Sequence, residues 1–238
     1  LAYYKHSNKS SFDFYLGLVD EETLELKSPK KICTIEQENV GIFKLESVIN
    51  ANQVMFANSP DKTKTLVACL ISQNLIKTFI VDNEMNILKH ADLRTSAEDM
   101  NIWSAVLTND DVSCLVLHSS KATKVVWASP EGRKSEFAIN PVGNQIPAET
   151  DISAARDGKS IYVYTTTSFL DESEGGCNGM LLSQLDCSTL RMSRPISFQF
   201  SPEVIQTICD NGGGTKRKKV YSMRTFTPDL MELDNGDL

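Results

Sequence analysis

The sequence predicts an all-β protein in which antiparallel strands follow one another along the chain, and two recurring patterns carry this prediction. In the first pattern, an apolar or alternating run ends in a polar turn and a second run follows. The four copies are Val19–Leu24, Val81–Ile87, Trp127–Arg133 and Leu185–Leu190. Asp, Asn, Gly and Pro satisfy or preset the backbone of tight turns, while alternation places one face of a strand in a core. Recurrence of the hairpin indicates a repeat architecture.

The second pattern is a polar turn containing Asp that leads into a β-branched or aromatic run. It occurs at Ser59–Val67, Thr108–Leu115 and Ala155–Val163. Each copy lies upstream of one of the later hairpins, so the two patterns together describe a longer unit of consecutive strands.

The first strands are predicted from shorter signals. Phe12–Asp20 alternates loosely, meets a turn at Glu21 and Glu22, and restarts at Leu24, which predicts the first hairpin. Further strands are expected at Ile32–Ile35, Ile42–Ile49 and Gln53–Ala57. For residues 40–50 a short helix is the alternative.

The second pattern carries a resemblance to known repeat proteins. Ser59-Pro60-Asp61-Lys62 before an apolar strand is similar to the blade-entry motif of TolB-like and WD40-like β-propellers. It lacks the motif's Gly, the copy at Asp157-Gly158-Lys159 lacks the preceding Ser-Pro, and the Gly-His and Trp-Asp pairs of WD40 blades are not found. The whole unit, over residues 10–200, also resembles large propeller-type proteins of Bacteroidota.

The resemblance implies a fold more than an activity: a β-propeller-like array of antiparallel four-stranded blades. The hairpin turns recur at intervals close to or above the roughly 40–50 residues of such a blade. We therefore expect a single propeller-like domain over residues 1–238, incomplete at both ends and part of a larger ring. A β-sandwich could use similar strands, but strand pairs that repeat at this spacing favour the propeller.

Composition narrows the class of partner. Hydrophobic residues make up 41% of the 238 residues and charged residues 23%, which is typical of a folded globular chain. The net charge of -7 opposes attraction to phosphate backbones, so nucleic acid is not an expected partner. No apolar run is long enough for a membrane span, and no signal-peptide pattern opens the sequence. Export to the periplasm or cell surface is slightly favoured over an intracellular address.

The cysteines predict core thiols rather than a metal site. The six are Cys33, Cys69, Cys114, Cys177, Cys187 and Cys209. They form no C-x-x-C pair and have no histidine at metal-ligand spacing. Cys69 and Cys114 lie in strand-like runs, where a free cysteine packs as a small apolar residue. Cys177 and Cys187 flank one predicted strand, and a bridge between them is left open for an oxidising compartment.

No set of catalytic residues stands out. The three histidines, His6, His90 and His118, are scattered and are interpreted as surface or structural residues. A Gly-x-Ser-x-Gly nucleophile elbow is missing, which disfavours a serine hydrolase. No cofactor is expected, and the catalytic residues of any enzymatic alternative stay unassigned.

Two loops are candidate partner-binding sites. The acidic loop places Asp171, Glu172 and Glu174 between two predicted strands, where carboxylates could receive a cation or face a partner. An ordinary solvated connection explains the same residues. The basic loop, Gly212–Lys219, begins with three glycines. The cations Lys216, Arg217 and Lys218 come after them and could contact an anion.

The basic loop is not a P-loop, because its cations run into the predicted strand Val220–Met223 instead of a helix. A solvated basic loop is the simpler interpretation. Trp103 and Trp127 could stack on a sugar, although tryptophan in a strand more often packs inside a blade.

These observations favour a non-enzymatic binding or scaffold module that presents its loops to a protein, peptide or glycan partner. One alternative is a carbohydrate-active hydrolase or lyase of the propeller type, with acidic residues in a central funnel. The other is an intracellular scaffold propeller of a multiprotein complex, to which six cysteines without an obvious disulfide framework lend some weight.

Overall fold

A computed structural model of the chain describes residues 2–8, 11–36, 54–72, 74–96, 100–119, 122–169 and 177–204. Nearly all of them lie in antiparallel strands and the turns between them, with one helical stretch at residues 202–204. The chain divides into two compact units, Leu1–Asn101 and Ile102–Leu238. The expectation of one domain over residues 1–238 stays a prediction.

The first unit contains two sheets whose spatial order follows the chain. The first sheet consists of β1 (Ala2–Asn8), β2 (Ser11–Val19) and β3 (Leu26–Glu36). The second consists of β4 (Val54–Asn58), β5 (Lys64–Ser72), β6 (Leu75–Asp82) and β7 (Ile87–Arg94). The predicted first hairpin is β2–β3, whereas β1 was not predicted. Residues 37–53, with the strand or helix proposed at 40–50, lie outside the described residues.

The second unit also contains two sheets in chain order. The third sheet consists of β8 (Asn101–Leu107), β9 (Ser113–His118), β10 (Thr123–Ala128) and β11 (Lys134–Ala138). The fourth consists of β12 (Gln145–Ala154), β13 (Ser160–Phe169), β14 (Cys177–Asp186), β15 (Arg191–Met192) and β16 (Ile196–Gln199). Both short strands, β15 and β16, pair with β14.

The sheet topology confirms the predicted fold class. Among the described strands, every sheet is an antiparallel meander of strands that are neighbours in the chain, apart from β16, which pairs with β14. The second and third sheets contain four strands each. Consecutive four-stranded meanders are the building plan of propeller blades. No described sheet takes strands from separate parts of the chain, as the Greek-key connections of a sandwich require.

Each unit has its own apolar core between its sheets. In the first unit the core includes Phe14, Val67 and Phe79. In the second unit, Trp127 and Val116 of the third sheet pack with Val163 of the fourth. Trp127 is 3% exposed, so it packs between sheets, which is the simpler of its two predicted roles. Trp103 is half exposed and tilts against the ring of His118, with 6.1 Å between the centroids.

Candidate functional site

The second, third and fourth sheets each have two unlike ends. At one end, which we call the motif end, lie the turns between a sheet's first and second strands and between its third and fourth. At the other, which we call the connection end, lie the turn between the two middle strands and the segment that enters the sheet. All the recurring turns of the sequence that fall in these sheets lie at the motif ends.

Four of the motif-end turns contain an aspartate whose carboxylate accepts local backbone N–H groups: Asp61, Asp82, Asp157 and Asp186. The Asp186 carboxylate accepts the backbone N–H groups of Ser188 and Thr189, both at 2.9 Å, and Leu190 closes the turn with φ of 56°. In the first sheet, the carboxylate of Asp20 accepts two N–H groups in the same way, and Leu24 has φ of 58°. Both turns therefore place a leucine in the left-handed region that glycine normally occupies.

These hydrogen bonds also lower the pKa values of the aspartates in the turns. The Ser188 hydroxyl and backbone N–H groups lower the pKa of Asp186 to about 2. Lys27, followed by Thr23, lowers the pKa of Asp20 to about 2. Each shift comes from contacts within the turn or its flanking strand, so these carboxylates have a structural role.

The turns that lead into the second strand of a sheet share one geometry. The residue three positions after the start has a positive φ in each: 58° at Lys62, 64° at Asp111 and 67° at Gly158. The N–H of each donates to the carbonyl three residues earlier. Lys62 thus occupies the position of the glycine that the sequence motif lacks, so the motif is retained in structure at some backbone strain.

The second unit contains a pocket beside the segment that enters the fourth sheet. It encloses about 220 Å³ between the segment Phe137–Val142, strands β13 and β14, and Pro195. Most of its lining is apolar, with Val163 and Leu181 on the floor and Pro141 on the rim. The volume is below the roughly 300–1,000 Å³ of pockets for drug-sized molecules, and it suits one side chain or a small organic group.

Two hydroxyls interrupt the apolar floor. Thr165 is 1% exposed and shares a 2.9 Å hydrogen bond with the hydroxyl of Thr150. Ser183 is 5% exposed and also lines the pocket.

Gln145 holds the walls of this pocket together. Its backbone exchanges two 3.1 Å hydrogen bonds with Val142, which fixes the segment along one wall. Its side-chain Nε2 donates to Thr167 Oγ1 at 3.0 Å and to the carbonyl of Phe198 at 3.3 Å. The Ser197 hydroxyl donates to its Oε1. Through its backbone and its side chain, the buried Gln145 therefore joins the entering segment, strand β13 and strand β16.

The direction of these hydrogen bonds follows from their acceptors. Because a carbonyl can only accept, the Nε2 of Gln145 must face Phe198, and Thr167 Oγ1 receives the second N–H. The Thr167 hydroxyl is then free to donate to Asn178 Oδ1 at 2.6 Å. The series ends at Asn178 Nδ2, which is buried and has no partner in the described part of the chain, as is also true of Trp127 Nε1.

Gly179 makes this arrangement possible. A Cβ at this position would lie 2.1 Å from the carbonyl oxygen of Phe198 and 2.6 Å from Gln145 Nε2. Contacts this close do not occur between real atoms, so any side chain here would displace the edge strand or the amide. Sequence reasoning missed Gln145, Ser183 and Gly179, because none belongs to a recognisable motif.

The structure does not reach the loops predicted to bind a partner. The acidic residues Asp171, Glu172 and Glu174 and the basic residues Lys216, Arg217 and Lys218 lie outside the described residues. Their roles stay predictions. In the sequence, the acidic residues fall between β13 and β14.

Four cysteines of the described region are free thiols: Cys33, Cys69, Cys114 and Cys187. Cys69 and Cys114 are fully buried, as predicted, and burial raises the pKa of both. Burial likewise raises the pKa of Cys33 to about 11 and of Cys187 to about 12. Thiols with raised pKa values are poor nucleophiles at neutral pH.

A bridge between Cys177 and Cys187 is excluded by the strand between them. Cys177 begins the ten-residue strand β14, and Cys187 follows its last residue. At about 3.3 Å per residue, the two Cα atoms lie roughly 30 Å apart, whereas a disulfide needs less than about 7 Å.

Other chemistry can be stated only for the described region. It contains no group of three or more His, Cys, Asp or Glu side chains arranged to hold a metal ion. Of the histidines, His90 and His118 are exposed. Within the same residues, no helix is both long and apolar enough to cross a membrane.

Comparison with known proteins gives structural likeness alone. No protein-family model and no curated protein matches the sequence. A crystal structure of a protein from Lactobacillus plantarum aligns with 85% of this chain at 11% identity and a TM-score of 0.42, and the chain spans 57% of that protein.

Two further solved structures are similar at the same level. Virginiamycin B lyase from Staphylococcus aureus aligns with 84% of this chain and 56% of its own, at 16% identity and a TM-score of 0.37. The periplasmic gluconolactonase of Pseudomonas aeruginosa aligns with 84% of this chain and 68% of its own, at 9% identity and a TM-score of 0.37.

Proposed function

We propose that this protein is a binding module that takes an apolar side chain of a peptide partner into the pocket of the second unit. The single observation that carries the proposal is the mostly apolar lining of the pocket, into which Thr165 and Ser183 bring hydroxyl groups. A peptide residue matches this lining because it combines an apolar side chain with backbone N–H and C=O groups.

Three features support binding over a packing defect. The pocket is open to solvent at a rim of exposed residues, Asn140 and Pro141. Its floor is continuous with the core through Val163, so the site is rigid. Its walls are fixed by Gln145, which reduces the ordering cost of binding.

The test uses the smallest probe that carries the proposed group, N-acetyl-leucine N-methylamide. Titration into ¹⁵N-labelled protein should shift the amide signals of residues 137–142, 163–165 and 181–183, with saturation in the millimolar range expected of a single side chain. N-acetyl-glycine N-methylamide, which lacks the side chain, is the control and should leave these signals unchanged.

A pair of variants in one segment makes the test specific. Asn140→Trp fills the pocket from its rim, whereas Asn144→Trp adds the same side chain at an exposed position that does not line the pocket. The first should abolish the shifts and the second should keep them. Equal behaviour of the two variants, or equal shifts with the glycine probe, would contradict the proposal.

A further inference from the structure

Among the described strands, β16 lies at the edge of its sheet. It pairs with β14, from Leu182 opposite Ile196 to Gly179 opposite Gln199, and with no other strand among those described. The N–H of Phe200 donates to the carbonyl of Asn178 at 2.9 Å. Since the backbone groups of alternate residues point to opposite sides of a strand, Phe198 also faces β14, and Ser197 and Gln199 face away from it.

The side chains of β16 are unusual for such an edge. Ile196 is 58% exposed and Phe198 is 44% exposed, and alternation places them on the same face. Natural proteins protect exposed edges with charges, prolines or bulges, because an apolar edge strand pairs with other chains. Within β16 itself, all four side chains are exposed and none is charged.

The residues around β16 indicate which chemistry could cover it. Arg191 and Arg194 precede the strand and are exposed. Pro195, between Arg194 and the strand, lines the pocket described above. An apolar edge strand that follows two arginines complements a segment that has both apolar and acidic residues.

We propose that β16 binds an extended segment of a partner protein as an additional antiparallel strand, with apolar residues over Ile196 and Phe198 and carboxylates beside Arg191 and Arg194. Antiparallel addition places the carboxyl-terminal end of the segment at the start of β16, next to the arginines and the pocket rim. Backbone hydrogen bonds supply affinity in this mode, and side chains supply specificity. The inference rests on the proposed function, since it extends the same peptide from the pocket along the edge.

The probe is a fluorescein-labelled peptide of alternating threonine and leucine that ends in three aspartates. A matched peptide ends in three lysines instead. Fluorescence anisotropy should show the acidic peptide binding at least tenfold more tightly than the basic one, and added salt should reduce that difference. Equal binding of the two peptides would overturn the assignment of an acidic segment.

Gln199→Pro tests the edge itself. The N–H of Gln199 points away from β14, so proline at this position removes an outward donor and leaves the existing ladder intact. Affinity for the acidic peptide should fall by about fivefold or more, the effect of one lost hydrogen bond. Gln199→Thr keeps the donor and should bind as the parent does. An unchanged affinity in Gln199→Pro would overturn the inference.

The outcomes separate this inference from the proposed function. If Asn140→Trp abolishes the leucine-probe shifts while Gln199→Pro leaves peptide affinity unchanged, the pocket stands and the edge fails. If Gln199→Pro weakens the peptide but the leucine probe causes no shifts, the edge stands and the pocket fails. A concentration-dependent dimer that Gln199→Pro abolishes would assign the edge to a second copy of this chain, and would overturn the proposed partner.

Discussion

The two ends of the fourth sheet differ in how the hydrogen bonds that hold them are made. At the motif end, the carboxylate of Asp186 accepts hydrogen bonds from the backbone N–H groups two and three residues later in its turn. At the connection end, Gln145 reaches Thr167, Ser197 and Phe198, which lie 22 to 53 positions along the chain. The first solution is local and can be repeated in every sheet, whereas the second depends on the assembled fold. The site is proposed where the hydrogen bonds are long-range.

Gly179→Ala should have the largest effect on this comparison. Its Cβ would overlap a backbone carbonyl and the Gln145 amide, and overpacking of this kind costs about 3 kcal/mol in the free energy of unfolding. Gly143→Ala is the matched control, because it has φ of 62° and open space, and should cost about 1 kcal/mol. Urea denaturation measures both. Equal losses would mean that the edge strand is not held as described.

Gln145→Ala should follow in size. It removes the amide that joins three segments and leaves the carbonyl of Phe198 without that donor, at a cost of about 2 kcal/mol. Gln184→Ala removes an exposed glutamine that bonds Ser160 in the same sheet, and should change stability by less than about 0.5 kcal/mol. Amide hydrogen exchange should show faster exchange in β16 for the first variant alone.

Leu24→Gly should stabilise the protein by about 0.5–1 kcal/mol, because glycine adopts the positive φ of this turn without strain. The Leu24 side chain is 78% exposed, so its loss sacrifices little packing. Leu190→Gly relieves the same strain but removes a side chain that packs on the core of the second unit. The midpoint temperature of thermal unfolding should therefore rise for Leu24→Gly and not for Leu190→Gly.

Asp186 gives the smallest effect, which appears as a pH dependence. Its pKa in the folded protein is about 2, below the roughly 3.9 of an unfolded chain, so its contribution is complete above pH 4 and is lost as pH falls towards 2. Asp186→Asn keeps an acceptor for the turn but does not titrate. The difference in unfolding free energy between parent and variant should be constant above pH 4 and shrink below it. A constant difference down to pH 2 would contradict the assigned pKa.

The features that could be predicted from the sequence are those held by hydrogen bonds between residues close together in the chain. The hairpins at Val81–Ile87 and Leu185–Leu190 were predicted because Asp-containing turns bond within five residues, and such contacts leave a pattern in the sequence. Even where Lys62 replaces the expected glycine, the turn keeps its geometry. Strand β1 was missed because Ala2–Asn8 has no clear alternation.

The candidate site could not be predicted in the same way. Gln145 and Ser183 are isolated polar residues in strands, and their importance comes from burial that depends on packing between sheets. Gly179 is required by the approach of a strand about 20 residues further along the chain. The loops that were chosen from charge alone, at 171–174 and 216–218, stay predictions.

The most direct test of this account is the amide-shift map of the protein with N-acetyl-leucine N-methylamide, compared between the pocket and the motif end of the fourth sheet. The account predicts saturable shifts at residues 137–142, 163–165 and 181–183, and none at residues 155–159 or 186–190. Shifts at the turns of the motif end, or no saturable shift in the pocket, would contradict the claim that the long-range hydrogen bonds build a binding site.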